Sequence, residues 1–173
     1  HPDVEVYRVL RDGAEVGLWL FDHFARAGKQ SGAWMNDLRS QQKLRAATPV
    51  VTNNSNFVKP SDGSDPSISW DDAITMFHEF GHALHSLNSN VRFVSQAGTS
   101  VSSDFVELPS QLNERWLSAP ETMRRFLTHR DTGEAMLRAT RLGGVTVFTD
   151  TRPGGSAAAL MGGGEPLRLA PMG

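Results

Sequence analysis

Two histidines four residues apart, with a glutamate after the first, stand together in His78-Glu79-Phe80-Gly81-His82. Imidazoles at i and i+4 project from one side of a helix, close enough to hold a single Zn²⁺. A Glu directly after the first His lies beside the open coordination position, where it takes a proton from water. The chemistry implied is hydrolysis by activated water, with His78 and His82 as metal ligands and Glu79 as general base. Zinc in such a site takes a third protein ligand and leaves the fourth position to water. Glu107, on the next helical segment, is the best candidate for that ligand.

These residues do chemistry only if helices aim them. Ser69 and Asp72 have the S-x-x-D spacing of a capping box, so a helix is expected from Trp70 to about Leu87. At 100° per residue from Trp70, His85, His78 and His82 fall at about 60°, 80° and 120°, and Glu79 at about 180°. Ala83, Met76, Leu87, Phe80, Ala73 and Leu84 occupy the opposite arc, so the histidines have a face separate from the core. A second helix is expected from Asp104, as N-cap, to near Ser118, with Pro109 tolerated only near its start. Glu107 and Glu114 share a polar side of that helix, opposite Phe105, Leu108, Leu112 and Trp116. Such a side looks into a cleft or into solvent. Glu114 is placed either to orient a ligand histidine or to stand as an exposed carboxylate. His85 as a fourth ligand would close the site, so a supporting or packing role is expected for it. His23 and His129 have no partners in sequence and are read as ordinary.

Upstream, Val4 to Val9 alternates apolar and polar residues, Arg11-Asp12-Gly13 supplies a turn, and Val16 to Phe21 reads as the returning strand. Pro49-Val50-Val51-Thr52 is a third short strand candidate, closing near Asn56-Phe57, and Pro60 to Pro66 is a loop. Pro120–Thr128 and Glu134–Leu142 are further helical candidates. The fold class expected is α+β, mainly helical, with a small antiparallel sheet ahead of the metal-site helices. Residues 143–173 hold eight of the 16 glycines and three of the nine prolines, so a disordered tail is expected after a domain over 1–142.

Composition narrows the function class. The chain has 173 residues, enough for one core. A net charge of −2 offers no basic face for nucleic acid, and no apolar stretch reaches the ~20 residues that span a bilayer. With no cysteine there is neither a disulfide framework nor a Cys-ligated zinc site, which is compatible with a cytoplasmic location. The opening His1-Pro2-Asp3 carries no initiator Met or targeting segment and reads as part of something longer.

Phe77-His78-Glu79-Phe80-Gly81-His82-Ala83-Leu84-His85 resembles the signature of the thimet oligopeptidase family. So does Gly98-Thr99 followed by Asp104-Phe105-Val106-Glu107-Leu108-Pro109-Ser110-Gln111. The resemblance implies Zn²⁺ on His78, His82 and Glu107, Glu79 as base, and a thermolysin-like (gluzincin) site acting on short peptides. It also accounts for Pro109, which follows the ligand Glu in the family. Upstream, Leu18–Phe21, Gly28-Lys29 and Gly32-Ala33-Trp34-Met35 are similar to the segment preceding the active site in the bacterial peptidyl-dipeptidase and oligopeptidase A branches. By that analogy Gly32, Ala33 and Trp34 present backbone groups to an extended substrate; the plain alternative is a loop and a strand. Trp70-Asp71-Asp72 and Gln41–Leu44 lean toward the peptidyl-dipeptidase branch, with an endo-acting oligopeptidase as the alternative. Ser103 departs from the Arg usual there, and a local salt bridge goes with it. The resemblance covers about residues 1–142 and lacks the lobe that supplies the family's oxyanion and substrate groups. It therefore implies metal binding with little turnover by this chain alone, and a monomer for the full-length enzyme. A structural histidine helix without catalysis is the competing reading.

Overall fold

The computed structural model describes residues 1–63 and 66–127, and the backbone of four strands between residues 137 and 171. Strands β1 (Val4–Arg11) and β2 (Ala14–Phe24) form an antiparallel hairpin. Its two-residue turn, Asp12-Gly13, has φ of 51° and 81°, the left-handed pair that matches strand twist. β3 (Trp34–Arg39) and β4 (Val50–Phe57) follow. β4 pairs parallel to β2, with Leu18 opposite Val50 and Asp22 opposite Asn54, and antiparallel to β3. The sheet is therefore mixed, not antiparallel as expected. The physical reason is non-local: β4 returns beside β2 in the same direction, and β3 takes the outer edge. The order is β3-β4-β2-β1, extended beyond β1 by a short strand, β8 (Arg168–Pro171).

Helix α1 (Trp70–Leu87) packs across β4, β3 and β2. Its Ala83 and Leu87 join Val9, Trp19 and Val51 in the buried core, with Phe80 and Met35 against them. Trp19 stacks on Tyr7 and Phe21 at 5.1 and 5.3 Å between ring centroids and meets Phe80 at 4.8 Å. Its indole N–H donates to Asn53 Oδ1 at 2.6 Å. β4 runs on through Asn53, Asn54 and Ser55 to the Asn56-Phe57 end expected from the sequence: Asn53 Oδ1 and Asn54 Nδ2 are paired, while Asn53 Nδ2 has no partner among the described residues. β2 and β4 are further tied by the Lys29 ammonium, which donates to the carbonyls of Asp22, Phe24 and Ser55.

Helix α2 (Ser103–Leu117) starts one residue before the expected cap, because the N–H groups of Phe105 and Val106 bond to Ser102 O. Helix α3 (Pro120–Phe126) opens on Pro120, where the missing N–H costs nothing. The structure divides into two compact units, residues 1–114 with 166–173, and residues 115–165. In the second unit, β5 (Leu137–Leu142) and β6 (Val145–Asp150) are antiparallel, and β7 (Ala157–Ala158) pairs with β6. Leu137–Leu142 is thus a strand where the sequence suggests a helix; pairing with the β-branched run of β6 overrides local propensity. Most of the tail expected to be disordered, residues 159–167 included, lies outside the described residues. The fold is α+β, and among the described residues sheet and helices are of comparable extent, where a mainly helical chain was expected. Among the described residues no helix is long and apolar enough to cross a membrane.

Candidate metal centre

The α1 cap forms as the sequence specifies. Ser69 Oγ accepts from Asp72 N at 3.0 Å, and Asp72 Oδ2 accepts from Ser69 N at 3.1 Å. With Phe80, Ala83 and Leu87 turned to the sheet, the 3.6-residue period sends His78 and His82 to another face. Their rings lie 4.9 Å apart, nearly perpendicular.

What brings α2 to them is Gly81. A Cβ there would lie 2.5 Å from Ser110 Cα and 2.8 Å from Pro109 O, so only glycine allows this crossing. A glycine inside a helix costs about 1 kcal/mol relative to alanine, and close approach is what that cost permits here. Asn113 Nδ2 then donates to Phe77 O at 2.6 Å, fastening the two helices. At this crossing Glu107 Oε2 stands 3.2 Å from His78 Nε2 and 3.2 Å from His82 Nε2. One ligand atom from each of the three residues lies within 4.8 Å of the others, a possible His-His-Glu metal site.

The surroundings set the donor chemistry. His78 Nδ1 contacts Glu114 Oε1 at 2.5 Å, a carboxylate placed to accept a proton carried on Nδ1, and in that tautomer Nε2 presents its lone pair on the side of Glu107. The Ser110 hydroxyl donates to Glu107 Oε2 at 2.8 Å and holds the Glu107 carboxyl below its ordinary range, against the opposing effect of desolvation. Two imidazole nitrogens and an ionised carboxylate oxygen, converging on one point, fit a borderline divalent ion such as Zn²⁺. Glu79 is half-buried, one residue from His78, and its carboxylate has no hydrogen-bond partner among the described residues.

His85 stays outside this group. It sits against Phe105, with ring centroids 5.9 Å apart, and burial, with His82 second, pulls its pKa down. Asp37 on β3 lies near enough to act on it, and burial pushes the Asp37 carboxyl up. Gly32, with φ of +91°, and Ala33 lead into β3 at Trp34. That strand lies at the outer edge of the sheet, beside α1. Sequence reasoning gave no role to Ser110 or Gly81. The first is signalled by its i+3 spacing from Glu107, the second by a glycine inside an otherwise well-formed helix.

With this geometry established, comparison with known proteins adds an independent line. The pattern of Peptidase family M3 matches residues 1–144, and that of Domain of unknown function (DUF4908) matches residues 126–173. The chain is 45% identical over 137 residues to the dipeptidyl carboxypeptidase of Salmonella typhimurium, covering 79% of the chain and 20% of that protein. It is 36% identical over 141 residues to oligopeptidase A of Escherichia coli, covering 79% and 21%. It is 34% identical over 160 residues to the mitochondrial intermediate peptidase of Schizosaccharomyces pombe, covering 76% and 21%. The chain thus spans about a fifth of the length of the curated relatives it matches. With the family pattern spanning most of the chain, the protein belongs to peptidase family M3.

Proposed function

We propose that this chain carries the zinc site of a gluzincin-like metallopeptidase that hydrolyses short peptides, of the peptidyl-dipeptidase type. The observation that carries the reading is the convergence of His78 Nε2, His82 Nε2 and Glu107 Oε2. His78, His82 and Glu107 would hold the ion. When bound, Zn²⁺ supplies Lewis-acid chemistry, polarising the scissile carbonyl and making water more acidic. Glu79 accepts a proton from the attacking water as its oxygen bonds to the carbonyl carbon, then delivers that proton to the departing amine nitrogen as the C–N bond breaks. Glu114 keeps the proton of His78 on Nδ1, so that Nε2 stays a lone-pair donor. Ser110 keeps Glu107 ionised and turned toward the two imidazoles.

Zinc content after purification tests the site. About one Zn²⁺ per chain is expected, lost in a His78→Ala/His82→Ala double variant; a metal-free wild type would sink the reading. The 45% identity to a dipeptidyl carboxypeptidase, against 36% to oligopeptidase A, favours dipeptide release over internal cleavage. Assays of a longer polypeptide carrying this segment separate the two. Release of dipeptides from a free C-terminus, blocked by C-terminal amidation, is expected. Unchanged cleavage of the amidated peptide would point to the endo-acting alternative. Short peptides are the partners this reading requires; neither nucleic acid nor membrane has a place in it, and a monomeric, cytoplasmic full-length enzyme accords with it.

A further inference from the structure

A cavity of about 210 Å³ opens where the start of β3, the end of β4 and the first turns of α1 meet. Gly32, Ala33, Ser55, Asn56, Phe57, Asp72 and Thr75 line it. Around the helix from Trp70, Asp72 and Thr75 fall at about 200° and 140°, the sector that also holds Glu79 and His82. The cavity is therefore on the metal-site side of α1. At about 1.5 Å rise per residue, Asp72 and Thr75 precede Glu79 by about 10 and 6 Å. An extended peptide laid along α1 advances about 3.3 Å per residue, so it would cover that axial distance between the cavity and Glu79 in two to three residues.

The side chains lining it are rich in free acceptors. Asn56 spends its amide N–H groups on Gln30 O and Gly32 O, at 2.8 and 2.7 Å, and its Oδ1 has no partner among the described residues. The Thr75 hydroxyl donates to Asp71 O at 2.9 Å. Asp72 uses Oδ2 for the cap, and its Oδ1 has no partner among the described residues. Ser55 is only 4% exposed, yet its hydroxyl has no partner among the described residues either. A hydroxyl lining a cavity without a partner is open to bond what enters it. Asp71 and Asp72 in the first turn outweigh the roughly half positive charge of the helix N-terminus. At Gly32 a Cβ would meet nothing within 4 Å, so the backbone there is open to approach.

Resting on the metallopeptidase reading above, we propose that this cavity is a substrate subsite for a cationic amine of the peptide, two to three residues from the cleaved bond. The amine is either the peptide's own α-ammonium, which would make the site a gauge of peptide length, or a lysine side chain at that position. Both offer N–H donors and positive charge to Asp72, Asn56 and Ser55.

The test uses the ¹⁵N-labelled full chain, its zinc content measured first, titrated with tetra-alanine, N-acetyl-tetra-alanine and N-acetyl-Lys-Ala-Ala-Ala. Shifts are read at the amides of Gly32, Ala33, Asn56 and Thr75. About tenfold tighter binding of an amine-bearing peptide than of N-acetyl-tetra-alanine is expected. Preference for tetra-alanine assigns the α-ammonium, and preference for the acetylated lysine peptide assigns the side chain. Asp72→Asn, which keeps a carbonyl to cap α1, should abolish the preference, and Thr75→Leu should fill the cavity and weaken every peptide. Equal affinities, an unchanged preference in Asp72→Asn, or no shift at these amides with any peptide would overturn the inference. Absence of zinc would instead overturn the reading on which it rests, so the two failures are distinct.

Discussion

His78 is held from two sides, by Glu114 at Nδ1 and opposite Glu107 at Nε2, and the two contacts have separable consequences. Removing an orienting carboxylate typically weakens metal affinity about 10–100-fold without removing a ligand. Glu114→Gln is therefore expected to lower zinc affinity by about that factor in chelator competition, with its melting temperature close to wild type. Glu79→Gln should bind zinc as the wild type does, because Glu79 is no ligand in this reading; a metal-free Glu79→Gln would contradict the assignment. These residues were legible in the sequence because a helical period relates them, and that period is local. The Glu114 contact was legible only as one of two alternatives. Spacing puts Glu114 on the side of Glu107, but a helix wheel does not show what faces that side.

At the level of elements, the hairpin, α1 and its capping box could be read from alternation, turn residues and period, each a feature of a few neighbouring positions. The mixed sheet could not, because parallel pairing of β2 with β4 joins segments far apart in the chain and leaves no local mark. That pairing is reinforced by Asp22, which is 7% exposed and bonded by Arg26 through both carboxylate oxygens, with Lys29 at 3.1 Å. The Arg26 hydrogen bonds chiefly, with Lys29 next in support, hold the Asp22 carboxyl below its ordinary range against the cost of burial. Its stabilisation is fully present above the unfolded value of about 3.9 and is lost as pH falls through the lower folded value. Urea midpoints measured from about pH 6 downward should fall below about pH 4 in the wild type, with this component absent in Asp22→Asn. That variant should be less stable at neutral pH by about 2 kcal/mol. At the helix crossing, Gly81→Ala forces backbone apart and is expected to cost about 1–3 kcal/mol and to weaken zinc binding. Wild-type zinc affinity in Gly81→Ala would show that the crossing does not set the site. The apolar side of α2 is a feature the wheel could not interpret: Phe105, Leu108 and Leu112 are 46, 53 and 55% exposed. Amphipathic spacing tells which residues share a side, and only packing tells whether that side is covered.

For the whole molecule, the chain spans about a fifth of the relatives it matches, so binding of metal and turnover of substrate need not travel together. The 173-residue chain is expected to bind about one Zn²⁺ while hydrolysing short peptides little or not at all. Efficient cleavage by this chain, abolished in Glu79→Gln, would show that residues 1–173 hold a complete enzyme. The sequence by itself determined the capped helix, the two histidines on its non-core face, the glutamate beside them and the carboxylate that could join them. All follow from residue type and helical period. Only the tertiary structure decided that Glu107 meets both imidazoles, that Glu114 turns to His78, and that β3 takes the sheet edge beside α1. Those facts depend on where two helices cross and which strands pair. A single missing Cβ at Gly81 and a ladder of non-local backbone bonds set them; the glycine stands in the sequence but not what crosses over it, and the ladder leaves no local mark.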